Sequence, residues 1–552
     1  MTDDLGDYAL LGDFHTIALV NSRGGLDWLC VPRFDSMPCF AALTNGDRGG
    51  SWTVSPEKGG RVTRRRYRPG TLVLESEWDT PSGTIRTVDC MAPRADDARV
   101  VRIVEGITGC VPVHVVFKPR FDHGDRTPWL RCTGTTVSAV AGSDALWLDA
   151  SVPLVRVAGH NAAEARFTVA AGQQAGFVLT HTASYLPKPP TAAPGDLIGA
   201  TERFWSKWSA GVDGTDSWGD ALQRAMITLK ALTHTPTGAV VSSPVFRTGE
   251  PPSLCDVAEA SSTLRALLHA ELADEARAWR EWLVRAVAGD PRYAATRYTV
   301  DGRGDPSARA TGAGSLGELL HGVNSADHLW LPSRDPAWDL QLDLLDHLES
   351  AWDQPDDDQD GIGSSPGHRV VSKVRAWAGL DRAVRTADRH GLPGPVDRWR
   401  AARARLRAEV CAKGYDPNRN TFTSHYGSDV VDPELLMMPE VGFLPWRDVR
   451  VRGTVSAITA ALSTADNVMP VSLAPGTPLM TGFRLVAALD GTGESAAAGA
   501  LFRQLLTARN DVGLLGKFYD PTARHIGLTP NVTSVVSMIN AARQLRSRLR
   551  TS

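Results

Sequence analysis

The chain of 552 residues has few cysteines and no pattern among them. Seven are scattered at Cys30, Cys39, Cys90, Cys110, Cys132, Cys255 and Cys411. The odd count and the lack of a C-x-x-C pair argue against a disulfide framework or a zinc knuckle, and fit free thiols in a reducing compartment. No run of about 20 apolar residues is present to span a bilayer. The opening MTDDLGDYALLGDFHTIALV is acidic and lacks a basic region followed by an apolar core, so no signal peptide is expected. Charge of one sign is also missing. The formal net charge is -3, which leaves no electrostatic footprint for nucleic acid or an anionic membrane. Charged residues at 22% and hydrophobic ones at 42% fit a globular protein. The expectation is a cytoplasmic protein.

What is present falls into two rhythms. From about residue 8 to 190 the pattern is short and alternating. TLVLESEWDT (71–80), GTIRTVDCMA (83–92), RVVRIVEGIT (99–108), VPVHVVFKPRF (111–121) and ALWLDASVPLVRVAG place apolar and β-branched residues at period two. Turn residues such as Pro69-Gly70 and Ser82-Gly83 separate the runs. Many short strands without helices between them predict a β-sandwich over residues 1–190. The proline-rich YLPKPPTAAPGD (185–196) reads as a connection, and residues 191–216 as a linker with a helix, ATERFWSKWSAG. From 217 to 552 the period becomes 3.6. Ser217 is placed to cap SWGDALQRAMITLKALTH, and roughly ten to twelve helices in all point to a helical toroid.

Several stretches carry a resemblance. DYALLGDFHTIALVNSRGGLDWLCVPRFDS (7–36), RRYRPGTLVLESEWDTPSGTIRTVDCM, ALQRAMITLKALTHTPTGAVVSSP, SKVRAWAGLDRA, YGSDVVDPELLMMPEVGFLPWRDVRVRGTV and ARNDVGLLGKFYDP are similar to glycoside hydrolase family 15, which holds glucoamylases and bacterial trehalases. The resemblance runs over nearly the whole length. It implies an N-terminal β-sandwich followed by an (α/α)6 barrel whose pocket hydrolyses glucosides with inversion. Inversion needs a protonated carboxyl on one side of the sugar and a carboxylate about 6.5–9.5 Å away on the other.

The motifs that would supply those groups depart from the family pattern. The acid normally sits in Asp-Gly-Ile-Trp-Glu. In DQDGIGSSPGHRVVSK (358–373), Asp360-Gly361-Ile362 are followed by Gly363 and Ser364. The base position, registered on FRLVAAL (483–489), falls on Pro475, which carries no ionisable group. The sugar-gripping Arg-Asp pair corresponds to Ala258-Glu259 in RTGEPPSLCDVAEAS (247–261). Gly516-Lys517-Phe518 and Thr533-Ser534-Val535 replace two further pocket motifs. Gly363, Pro475, Met480 and Val535 predict a pocket less polar than a sugar site.

Other residues are candidates for the chemistry. Asp256 and Glu259 sit where the sugar-gripping motif belongs, with capping of the next helix as the plain alternative. Glu440, among Met437, Met438, Val441 and Phe443, is expected to be desolvated and raised in pKa as a proton donor requires, unless Arg447 or Arg450 pairs with it. His368 and His425 are candidate general bases, and Cys255 is a nucleophile or a small buried residue. Ser364, Ser365, Thr477 and Phe518 are expected to line the pocket. His321 and His328 share a helix side but lack a third metal ligand. DDDQDG (356–361) opens like a calcium loop, but the twelfth position is Gly367 rather than glutamate. No metal or cofactor is expected. The expected partner is a small molecule in the barrel pocket, not nucleic acid or membrane, with a homo-oligomer left open. Three functions remain: a repurposed enzyme doing acid–base chemistry such as cyclisation, isomerisation or elimination; a non-catalytic binding or scaffold protein; and a glucosidase or trehalase with displaced carboxylates.

Overall fold

The structure is a computed structural model that describes residues 6–157, 159–211, 218–252, 254–308, 312–325, 337–355, 367–463, 473–520, 527 and 529–549. Ser217 lies outside the described residues. So do His328, the acidic loop at 356–361, Gly363, Ser364 and Ser365.

The N-terminal part is a two-layer β-structure of fifteen strands, held together by one strand common to both layers. One layer runs β1 (Ala9–Gly12), β2 (Ile17–Val20), β3 (Gly25–Cys30), β5 (Ser51–Pro56), β9 (Ala98–Lys118), β14 (Ala162–Ala170) and β13 (Val155–Val157), with β4 (Pro38–Phe40) beside β3. The other runs β6 (Arg61–Tyr67), β7 (Leu74–Thr80), β8 (Gly83–Met91), β9, β15 (Gln174–Ala183), β12 (Asp144–Ala150), β11 (Thr136–Ala141) and β10 (Trp129–Thr133).

RVVRIVEGIT and VPVHVVFKPRF, expected as separate strands, are the two halves of β9. Gly106 and Gly109 let the strand pass between layers: a Cβ at either would sit 2.1 Å from a neighbouring carbonyl oxygen, and Gly109 has φ +67°. The near-continuous apolar run in β9 has a second cause. Val101 and Ile103 face outward but are covered by Ile198 of the connecting helix Pro194–Ser209, which packs on Val88 and Val178 as well.

The helical part is a closed ring. Six inner elements are labelled here α1 (Ala260–His269), α2 (Ala313–Asn324), α3 (Val370–His390), α4 (Met437–Glu440, entered through a 3-10 turn at Pro433–Leu436), α5 (Leu479–Thr492) and α6 (Val532–Leu549). Each packs on the next, and α6 closes on α1. Outer helices back the ring at Gly219–Ala231, Ala273–Ala286, Ala337–Ala351, Val396–Lys413, Val449–Leu462 and Ser495–Leu506. This is the expected β-sandwich followed by an (α/α)6 barrel.

The two parts are stitched by buried polar contacts. The Trp28 indole N–H donates to the Pro244 carbonyl at 3.0 Å, and the Asn510 amide donates to the carbonyls of Gly6 and Tyr8 at 2.9 and 3.0 Å. Arg65 reaches Asp511 at 3.2 Å. No helix among the described residues is long and apolar enough to cross a membrane.

Candidate functional site

The inner helices enclose a cavity of about 290 Å³ on the barrel axis. Small residues bring its walls together. A Cβ at Gly317 on α2 would lie 2.3 Å from the Arg375 carbonyl on α3, and one at Gly379 would lie 2.8 Å from the Gly317 Cα. With no side chain at this crossing, α2 and α3 approach closely, and the next residue along α2, Glu318, faces the same cavity as Arg375.

Glu318 is buried, and its carboxyl accepts the Ser261 N–H at 2.8 Å. Burial is the main cause that raises its pKa to about 7; neighbouring Glu259 adds to the rise and Arg375 opposes it. Glu259, the N-cap residue of α1, lies between two guanidiniums. Arg375 donates to it at 3.3 Å and Arg484 on α5 makes a second, shorter contact. Arg375 also reaches Glu434 at 3.4 Å. Burial works against the charge of both arginines, but the surrounding carboxylates outweigh it and raise their pKa values. Glu259 and Glu434 face Arg375, Glu259 also meets Arg484, and burial favours the neutral form of Glu318 beside them.

Further along the axis Glu440 pairs with Arg265 at 2.6 Å. Beside them, His269 is held to about 4 by burial and by Arg265, and His321 is pushed well down by burial, Arg382 and Arg265, so both imidazoles are neutral at pH 7. The His269 Nδ1 lies 3.0 Å from the Asn540 side-chain oxygen. Leu268, Met437 and Val441 add an apolar wall.

The cavity therefore unites two predicted residues, Glu259 and Glu440, with His321, and leaves the other described candidates outside its lining. Asp256 is exposed and its Oδ1 accepts the Ala258 N–H at 2.8 Å, a turn role ahead of α1. Cys255 is buried, and burial raises its thiol well above the ordinary value, which leaves no thiolate for nucleophilic attack at neutral pH. His368 stacks on Tyr426 with ring centroids 5.3 Å apart. His425 is exposed with its Nδ1 2.9 Å from the Ser424 hydroxyl. Thr477 donates to the Ala474 carbonyl at 2.7 Å, and Phe518 bridges to Pro478 beneath Lys517. Glu440 is engaged by Arg265 rather than by Arg447 or Arg450; Arg450 pairs with Asp448.

Neither Pro475, which is exposed, nor Met480 nor Val535 lines the cavity, whose walls are strongly charged rather than less polar. Glu318, Arg375 and Arg484 were not singled out from sequence. Their signal was there: a charge set among apolar residues of a helical stretch, in GELLHGV, VRAWAGL and FRLVAAL. Among the described residues no group of His, Cys, Asp and Glu is placed to hold a metal ion.

A sandwich joined to a six-pair helical ring is the architecture of a bacterial glucoamylase solved with acarbose. The match has a TM-score of 0.75 at 10% identity and covers 99% of this chain and 94% of that one. A kojibiose phosphorylase described as putative, from human microbiome, shares the fold more loosely, with a TM-score of 0.54 at 10% identity over 97% of this chain and 82% of that one. In sequence, residues 3–181 match the model "Trehalase-like, N-terminal", and residues 319–476 match "Glycosyl hydrolases family 15". A trehalase of Mycolicibacterium smegmatis is 27% identical over 97% of this chain and 90% of its own length. One of Mycobacterium tuberculosis is 26% identical over 97% and 89%. The chain is thus similar to trehalase-like N-terminal domains over its β part and to glycoside hydrolase family 15 over the middle of its helical part. Glu259, Glu318 and Arg484 all lie outside the stretch that the family 15 model matches.

Proposed function

We propose that this family 15-like barrel performs acid–base chemistry on a small molecule in its axial cavity, of the isomerisation, elimination or cyclisation type, rather than glycoside hydrolysis. The observation that carries the reading is a pair of carboxyls in unlike surroundings: Glu318, buried and raised to about 7, shares a cavity with Glu259, which two arginines contact. A buried carboxyl that favours its neutral form, beside a second carboxyl in contact with guanidiniums, offers a proton donor and a partner for it. Glu318 gives the proton; Glu259 takes one or stabilises developing positive charge. Arg375 and Arg484 stabilise negative charge on the reacting molecule. A cavity of about 290 Å³ suits a molecule near monosaccharide size.

A second reading, hydrolysis of trehalose by displaced carboxylates, is favoured by the trehalase names of relatives that align with almost the entire chain. Against it stands Pro475 at the base position, exposed and without an ionisable group. A purely binding role has no need of a carboxyl raised to about 7.

The test is solvent exchange. Small hydroxy, keto and sugar compounds are incubated with the protein in deuterium oxide and followed by NMR. Deuterium should enter carbon positions of at least one compound, at a rate that falls about 10² to 10⁴-fold in Glu318→Gln. Exchange that proceeds equally in wild type and Glu318→Gln would remove Glu318 from the chemistry.

A further inference from the structure

One imidazole in the axial cavity has its proton fixed by its neighbours. Asn540 on α6 reaches across to α1, where its Nδ2 donates to the Ser262 carbonyl at 3.1 Å. Only the NH2 side of an amide can meet a carbonyl, so the orientation of Asn540 is settled. Its Oδ1 then lies 3.0 Å from the His269 Nδ1. That oxygen has no hydrogen to give, so Nδ1 carries the proton. His269 is neutral at pH 7, which leaves its Nε2 with a lone pair. Nε2 accepts no hydrogen bond among the described residues and, unlike the sealed Nδ1 of His321, keeps accessible surface. His269 lines the cavity, so an unmet acceptor is offered there.

The charges around this acceptor are already engaged. Arg265, Arg543 and Glu440 are the ones that act on His269. Arg265 pairs with Glu440 at 2.6 Å, and Arg543 with Glu271 at 3.4 Å. Arg382, also in the lining, donates to the Val441 carbonyl at 3.4 Å. Leu268, Met437 and Val441 supply apolar wall beside them.

We propose that this part of the axial cavity takes a neutral hydroxy compound with an apolar body, whose O–H donates to the His269 Nε2, and that Asn540 is the positioning residue that sets the required tautomer. The inference rests on the axial cavity being the working site and names the class of molecule it takes. A carboxylate has no hydrogen for Nε2 and would meet the charge of Glu440. An ether or halide of the same shape would set a lone pair against a lone pair.

Two measurements test this. Nitrogen-15 NMR of the full chain labelled at histidine reads the tautomer, with His269 assigned from the signal lost in His269→Phe. His269 should be in the Nδ1–H form in wild type, and Asn540→Ala should admit the Nε2–H form. NMR titration with phenol, and with fluorobenzene as an analogue of similar shape without a donor, reads the preference. Phenol should bind about three- to tenfold more tightly. His269→Phe should erase that preference and still bind fluorobenzene, which separates loss of the acceptor from loss of the fold. A wild-type His269 in the Nε2–H form overturns the proposal, and so does phenol that binds no better than fluorobenzene. A tautomer unchanged in Asn540→Ala overturns the role of Asn540. Binding is read without turnover. Phenol preference without Glu318-dependent exchange therefore keeps the hydroxyl site and removes the catalytic reading, whereas exchange with no phenol preference does the reverse.

Discussion

Replacing Glu318 by glutamine fixes in place the neutral form that the folded protein prefers. In the unfolded chain the carboxyl titrates near 4.5, and in the cavity near 7. The raised value means that the folded state holds its proton more tightly than the unfolded state. Stability from this group is complete below about pH 4.5 and is lost as pH rises through 7. The displacement is worth roughly 3 kcal/mol. Buried histidines pull the other way. His269 and His234, both held near 4 mainly by burial, lose stability as pH falls below their unfolded value of 6.5. A single melting curve against pH mixes these effects, but the difference between wild type and Glu318→Gln cancels the histidine part. That difference should be flat below pH 4.5, shift in favour of glutamine by about 3 kcal/mol between there and pH 8, and then level off. Calorimetry across pH 4–9 reads it as a relative rise of a few degrees in the variant's melting temperature. Side-chain carbon NMR of isotope-labelled glutamate gives the titration directly. A pH-independent difference, or a Glu318 midpoint near 4.5, would refute the assignment of a protonated carboxyl.

Three further outcomes follow from the packing. Gly317→Ala puts a Cβ 2.3 Å from the Arg375 carbonyl, so it should destabilise by about 1–3 kcal/mol, whereas Gly195→Ala, with open space around its Cβ, should stay within about 0.5 kcal/mol by thermal melting. A thiol reagent should label exposed Cys110 quickly in the native protein and Cys255 only after denaturation; rapid native labelling of Cys255 by peptide mapping would contradict its burial. Asn510→Ala should free the chain near Gly6 and Tyr8 and cost about 1–3 kcal/mol, seen as faster proteolysis of the N-terminal segment.

The fold was legible because period-two and period-3.6 patterns are local. β7, β8 and the outer helix Gly219–Ala231 lie where these patterns placed them. β9 was divided in two because glycines that mark a turn in sequence, Gly106 and Gly109, here serve a strand crossing between layers. The candidate site was only half legible. Motif positions drew attention to the loops leading into the inner helices, and of those residues that are described only Glu259 lines the cavity. Arg375 and Arg484 lie in stretches that read as scaffold, and their partner Glu259 is more than a hundred residues away in sequence from both. A buried charge on an apolar helix is visible in one sequence. The charge that it meets is set by the closing of the ring.

The most direct test of the central claim is glucose release from trehalose, maltose and an aryl α-glucoside by the purified protein, alongside Glu318→Gln, Glu440→Gln and Asp256→Asn. The account predicts no release by any of them. Turnover at an ordinary enzyme rate, about 1–10³ s⁻¹, that is lost in one of the variants would contradict it and show a working glycosidase with displaced carboxylates.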